Sequence, residues 1–136
     1  MTAADIPFGM RLKTEAGWNQ TEADWRRFLA LSQGGTLVAE RGGAAVGTVA
    51  TFLFGTIGWI AMLLVDKRWR HQGIGTSLLE QGRRASPARL LLRVFRRNAD
   101  ARAFYERHGF RPLDENDGSR NEENEPDMTY GWTPTR

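Results

Sequence analysis

The apolar positions of this chain change period several times, and each change marks a predicted element. Ile6 to about Ala16 reads as a helix with Asp5 as its N-cap and Pro7 tolerated in the first turn. Gly17-Trp18-Asn19-Gln20 breaks it. Thr21 followed by Asp24 reads as a capping box with Asp in place of Glu, and Trp25, Phe28 and Leu29 form the apolar stripe of a second helix ending near Leu31. After a loop over Ser32-Gln33-Gly34-Gly35, Thr36–Glu40 and Ala45–Phe54 form a hairpin around Arg41-Gly42-Gly43-Ala44. Thr56–Val65 is a third strand, and its almost wholly apolar run from Ile60 suits a central strand covered on both faces.

A helix from Gly75 to about Ala85 turns Leu78 and Leu79 inward and ends at Ser86-Pro87, before a strand over Arg89–Phe95. Asn98 then caps a short helix whose Ala101, Phe104, Tyr105 and His108 share a face, with Gly109 at the left-handed stop. Phe110–Leu113 and Met128–Trp132 are the last strands, and the polar Asp114–Pro126 between them is expected to be a mobile surface loop. Helices and strands in this alternation predict an α/β domain.

The chemistry is concentrated where the third strand ends. Arg70-His71-Gln72-Gly73-Ile74-Gly75-Thr76 reads as a turn opening a helix, with glycines that let a phosphate approach the backbone and first-turn N–H groups aimed at it. It is neither a Walker A loop, which needs Gly-Lys-Ser/Thr, nor a dinucleotide fingerprint, which needs a third glycine. Read alone, it is equally a glycine turn between a buried strand and a surface helix.

A second motif, Asn98-Ala99-Asp100-Ala101-Arg102-Ala103-Phe104-Tyr105-Glu106-Arg107-His108-Gly109-Phe110, follows further along. The pair, R-x-x-G-x-G after a strand and then N-x-x-A-x-x-F-Y-x-x-x-G-F, resembles the GNAT superfamily of acyl-CoA-dependent N-acetyltransferases over residues 36–132. The resemblance implies a mixed, mostly antiparallel sheet flanked by helices, with acyl-CoA in a V-shaped opening between the fourth and fifth strands of that fold. Thr56–Val65 is the fourth. The family's first strand is missing here, because Met1-Thr2-Ala3-Ala4 runs almost directly into the first helix. The sheet would then begin at Thr36 with an exposed edge that a partner chain, in a homodimer, would cover.

Composition narrows the setting. The 136 residues suit one domain spanning 1–136. There is no long apolar run, and Met1–Lys13 lacks the pattern of a signal peptide, so a soluble, cytoplasmic protein with no membrane partner is expected. With no Cys and only His71 and His108, no disulfide, cysteine nucleophile or metal site is expected. Nineteen basic residues face sixteen acidic ones, with arginines gathered between Arg68 and Arg111 and acids between Asp114 and Asp127. Arg83, Arg84, Arg93, Arg96, Arg97 and Arg102 read as solvated residues, two or three of which would sit near coenzyme phosphates. No nucleic-acid-binding motif is visible, and transfer to RNA-bound aminoacyl groups rests only on the arginine excess.

The resemblance also implies the site. Acetyl-CoA is the expected co-substrate, with no metal. Leu63 and Val65 would pair with pantetheine through their backbones, and the turn Arg70, Gln72, Gly73, Ile74, Gly75 and Thr76 would hold the pyrophosphate. Asn98 would hydrogen-bond pantetheine or serve as a plain N-cap, and Phe104 would pack beside the pantetheine or in the core. Tyr105 is the candidate acid toward the coenzyme sulfur, the alternative being a core aromatic. Thr56–Val65 carries none of the glutamates that many relatives place there, so the base is open among water, Asp127, Glu125 and Glu40. Trp18, Trp25 and Trp59 are candidate acceptor-pocket residues or ordinary core, and Glu122-Glu123-Asn124-Glu125-Pro126-Asp127 would attract a cationic amine or form a solvated loop. The expected reaction is acetyl transfer to a primary amine of a small molecule or peptide, by direct attack in a ternary complex. The alternative is a non-catalytic acyl-CoA-binding module.

Overall fold

The computed structural model describes residues 1–32, 34–85, 88–119 and 124–134, and its first two α-helices start differently. Thr21 and Asp24 form the predicted capping box of α2 (Glu22–Leu31), with Asp24 N–H donating to Thr21 Oγ1 at 3.2 Å and Thr21 N–H to Asp24 Oδ2 at 2.8 Å. The cap of α1 (Ile6–Glu15) differs from expectation. Asp5 makes no cap bond to it, because its carboxylate accepts from Thr2 N–H at 2.9 Å and closes a capping box around the 3₁₀ turn Ala3–Asp5.

The strands are β1 (Thr36–Arg41), β2 (Ala44–Phe54), β3 (Ile57–Val65), β4 (Arg89–Phe95), β5 (Arg111–Asn116) and β6 (Asp127–Trp132), with α3 (Ile74–Ala85) and α4 (Ala99–Arg107) on either side of β4 in sequence. They form one six-stranded sheet in the order β1-β2-β3-β4-β6-β5, antiparallel except for β3 with β4. The expected mixed, mostly antiparallel sheet is present, and β1 is its edge, with no earlier strand among the described residues. Gly42 and Gly43, at φ 60° and 81°, make a two-residue turn between β1 and β2, tighter than the four residues expected.

β5 departs most from the sequence reading. It starts at Arg111 and runs to Asn116, into the stretch expected to be a loop, with a register shift between Pro112 and Asp114. As an edge strand it pairs on one side only, so proline, charges and a bulge are tolerated. The end of α3 at Ser86-Pro87 lies outside the described residues.

Two cores sandwich the sheet. α3 and α4 cover one face over Val49, Ile60, Leu90, Leu92 and Tyr130. α1 and α2 cover the other over Ala50, Met62 and Leu64, with Trp25 at 0% exposure beneath them. No helix among the described residues is long and apolar enough to cross a membrane.

Candidate active site

Where β3 and β4 part, a cleft opens. Their parallel pairing runs only from Ile57↔Arg89 to Ile60↔Leu92, after which β3 continues to Val65 and β4 to Phe95 unpaired with each other. At the same point β3 bulges: Thr48 faces Leu64 and Ala50 faces Ala61, so Met62 and Leu63 together oppose Val49. Met62 takes φ 56°, a left-handed conformation costing on the order of 1 kcal/mol for a residue with a side chain. The buried Thr48 hydroxyl donates to the Met62 carbonyl at 2.8 Å and holds it there.

The bulge re-phases the strand. Ile60 lies in the α3 core, yet Met62 and Leu64 lie in the α1–α2 core. Asp66 N–H reaches across to the Val46 carbonyl at 2.9 Å, so alternation along the strand turns the backbone groups of Leu63 and Val65 the other way, into the opening. The cleft has a volume of about 1400 Å³, and Leu63, Val65, Gly73, Asn98 and Tyr105 are among its walls.

The turn after β3 is anchored by Asp66. Its carboxylate caps the 3₁₀ turn Lys67–Trp69, accepting from Arg68 N–H at 3.0 Å, and takes Arg11 at 2.8 Å and the Arg68 guanidinium at 3.3 Å. Burial alone would raise its pKa. The hydrogen bonds from the Arg68 backbone and side chain and from Arg11 outweigh this and hold the carboxyl well below the usual range. Gly73 has φ 81°, and a Cβ there would meet nothing within 4 Å, so glycine is needed for its conformation rather than for space. At Gly75 a Cβ would lie 3.4 Å from the Phe104 ring, so that residue lets the turn close on α4. The Gly73 carbonyl accepts the first helical bond from Ser77 N–H at 3.0 Å, which leaves the N–H groups of Ile74, Gly75 and Thr76 without intrahelical acceptors.

The side chains of this turn are already engaged. Arg70 Nε donates to the Val65 carbonyl at 3.2 Å, and Gln72 Oε1 accepts from Arg41 at 3.1 Å. Thr76 Oγ1 lies 3.0 Å from His108 Nε2, and His108 Nδ1 lies 2.7 Å from the Phe104 carbonyl. A carbonyl can only accept, so Nδ1 carries the proton; in the neutral ring Nε2 is then bare and takes the Thr76 hydroxyl hydrogen. The Thr76 hydroxyl thus serves His108 here, and the first-turn backbone N–H groups are what the turn leaves unpaired within the helix.

α4 forms the facing wall. Asn98 Oδ1 accepts from Ala101 N–H at 3.1 Å, so Asn98 is an N-cap and a cleft residue at once. Phe104 meets Tyr105 edge-on at 5.3 Å between ring centroids, and Tyr105 meets Phe110 at 5.7 Å. Tyr105 is buried against the cleft, and burial pushes its phenol pKa upward, so the hydroxyl keeps its proton.

Residues 32–112 match the acetyltransferase (GNAT) domain. The chain belongs to the GNAT family. Its fold is shared with Ard1 from Thermoplasma volcanium, at a TM-score of 0.91 and 20% identity, covering 100% of this chain and 95% of that one. The ribosomal-protein-S18-alanine N-acetyltransferase of Escherichia coli superposes with a TM-score of 0.81 at 19% identity, covering 100% and 92%. Arabidopsis thaliana Naa50, solved with the bisubstrate analogue CoA-Ac-MVNAL, gives 0.81 at 20% identity, covering 98% and 95%. No curated protein matches the chain.

In this GNAT domain the structure separates the carboxylates that the sequence left level. Asp127, 7% exposed, lines the cleft and accepts a hydrogen bond from Asn116 Nδ2. Glu125 is paired with Arg97 at 3.1 Å, and Glu40 borders a separate cavity of about 190 Å³ between β1 and the turn. Glu122 and Glu123 lie outside the described residues. The tryptophans divide too. Trp18 and Trp59 line the cleft, whereas Trp25 is core, packed so closely on Gly9 that a Cβ there would lie 2.8 Å from its ring. Arg93, read from sequence as a solvated residue, stands in the cleft wall with its guanidinium 5.5 Å from the Trp59 ring centroid. The signal for it was a single charge inside the otherwise apolar run Leu90–Phe95.

Proposed function

We propose that this GNAT domain transfers an acetyl group from acetyl-CoA to a primary amine, by direct attack within a ternary complex. The observation that carries the reading is the parting of β3 from β4 after Ile60 and Leu92, which leaves the edge of Leu63 and Val65 without a strand partner beside a helix N-terminus whose first N–H groups have no intrahelical acceptor. A pantetheine arm has amides that fit such an edge as an added strand would, and a pyrophosphate fits the N–H groups of Gly73 to Thr76. The co-substrate supplies an acyl group already activated as a thioester. Phe104 closes the wall beside the arm, and Asn98 fixes the start of α4 that carries Tyr105.

Tyr105 is the group for the departing thiolate. A thiol ionises near pH 8.5 and a phenol near 10, and burial raises the phenol further, so outright proton transfer from Tyr105 to a thiolate is uphill. Its contribution is a hydrogen bond to the charge developing on sulfur, strengthened by the low dielectric around it. The amine's proton leaves through water or Asp127, the buried carboxylate of the cleft.

The test is calorimetric titration with acetyl-CoA followed by a transfer assay over a panel of amines. Saturable binding with thiol release that depends on added amine supports the reading. No binding by folded protein refutes it, and binding without transfer to any amine leaves the acyl-CoA-binding module in its place.

A further inference from the structure

The face of the cleft opposite α3 carries a cation with no acidic partner among the described residues. Leu90, Leu92 and Val94 point into the α3–α4 core, so Arg93 projects from the other side of β4. It is the first residue of β4 after the pairing with β3 ends, and thus stands at the apex of the opening. Ile60 likewise faces α3, which sends its neighbour Trp59 to the same side as Arg93, and the two stack at 5.5 Å. The arginines just beyond the strand find carboxylates, Arg96 with Glu115 at 3.0 Å and Arg97 with Glu125 at 3.1 Å. Arg93 pairs with no carboxylate among the described residues and remains exposed.

Two further groups in the same cleft suit an amine. Gln20, in the α1–α2 connection, has a buried Oε1 without a hydrogen-bond partner among the described residues, and Asp127 contributes a buried carboxylate. An arginine packed over an indole keeps N–H groups free for a carboxylate, which a guanidinium grips with two bonds. A purely cationic acceptor would be repelled by it.

We propose that Arg93, stacked on Trp59, is a carboxylate-reading subsite for the acceptor, so that the substrate is an amine that also bears a carboxylate, such as an α-amino acid or an acidic amino compound of similar size. Gln20 and Asp127 receive the amine end of the same molecule. This rests on the acetyl transfer proposed above and adds the chemical class of acceptor.

The experiment compares kcat/KM for free amino acids and their α-amides, in matched pairs, for the wild type, Arg93→Gln and Arg93→Lys. The wild type should favour the acids by about tenfold or more, mainly through KM, as expected for a charge-assisted contact made equally in ground and transition states. Arg93→Gln should bring the ratio of acid to amide close to one, and Arg93→Lys should restore part of it. Acetyl-CoA titration of Arg93→Gln reports that the coenzyme end is intact. Transfer without preference for acids, or a preference that survives Arg93→Gln, overturns this inference alone. Binding of acetyl-CoA with transfer to other amines but to neither of these classes also overturns this inference alone, and binding without transfer to any amine overturns the acetyltransferase reading and this inference with it.

Discussion

At the proposed coenzyme end of the cleft a single stretch of chain, from Leu63 to Thr76, supplies the strand edge, the anchored turn and the helix start, whereas at the proposed acceptor end Gln20, Trp59, Arg93 and Asp127 come from the α1–α2 connection, β3, β4 and β6. The first end is made of backbone, and its side chains turn away to Val65, Arg41 and His108. The second is made of side chains brought together only by the sheet. Backbone recognition depends on conformation and tolerates changes of side chain, whereas side-chain recognition is where one family member can differ from another in its acceptor.

The sharpest way to break the coenzyme end is through its conformation. Gly73→Val should remove measurable acetyl-CoA affinity, a loss of about a hundredfold or more, because a β-branched residue at φ 81° strains or refolds the turn. Calorimetric titration checks this, and circular dichroism checks that the fold persists. Tyr105→Phe should lower turnover by about a hundredfold while leaving acetyl-CoA affinity within about twofold, measured by steady-state kinetics beside titration.

Asp66→Asn tests the anchor. It should cost about 1–2 kcal/mol in denaturant unfolding, since Arg11 and Arg68 are partly exposed and their attraction is screened. The sign with pH follows from the lowered carboxyl pKa. The wild-type contribution is present above the unfolded value near about 3.9 and is lost as pH falls below it, so the variant should lose less stability on acidification. The smallest effect belongs to Thr76→Val, expected to change acetyl-CoA affinity by less than about threefold because the hydroxyl already serves His108. A large loss would show that the hydroxyl leaves His108 for the coenzyme.

This contrast also governs what the sequence could reveal. The strand, turn and helix starts around the proposed coenzyme end were legible because glycine, an apolar run and an N-cap are local signals, and so the ends of β3, α3 and α4 fell close to their predicted places. The bulge was not. Met62 sits in an unbroken apolar run, and a change of face inside such a run leaves no trace in its pattern. Nor could periodicity sort the tryptophans: Trp25 lies on the apolar stripe of α2 and is core, while Trp18 and Trp59 become cleft residues only through the packing of α1 and the parting of β3 and β4. β5 was cut short for a related reason, because the polar side chains of an edge strand say little about its backbone pairing.

A coenzyme bound along the parted edge of β3 as an added strand would protect the backbone amides of Leu63 and Val65, which amide hydrogen exchange reads residue by residue. Saturating acetyl-CoA should slow exchange at both amides by about tenfold or more and leave Leu64, which faces β2, unchanged. Unchanged exchange at Leu63 and Val65 in the presence of bound acetyl-CoA would contradict the account.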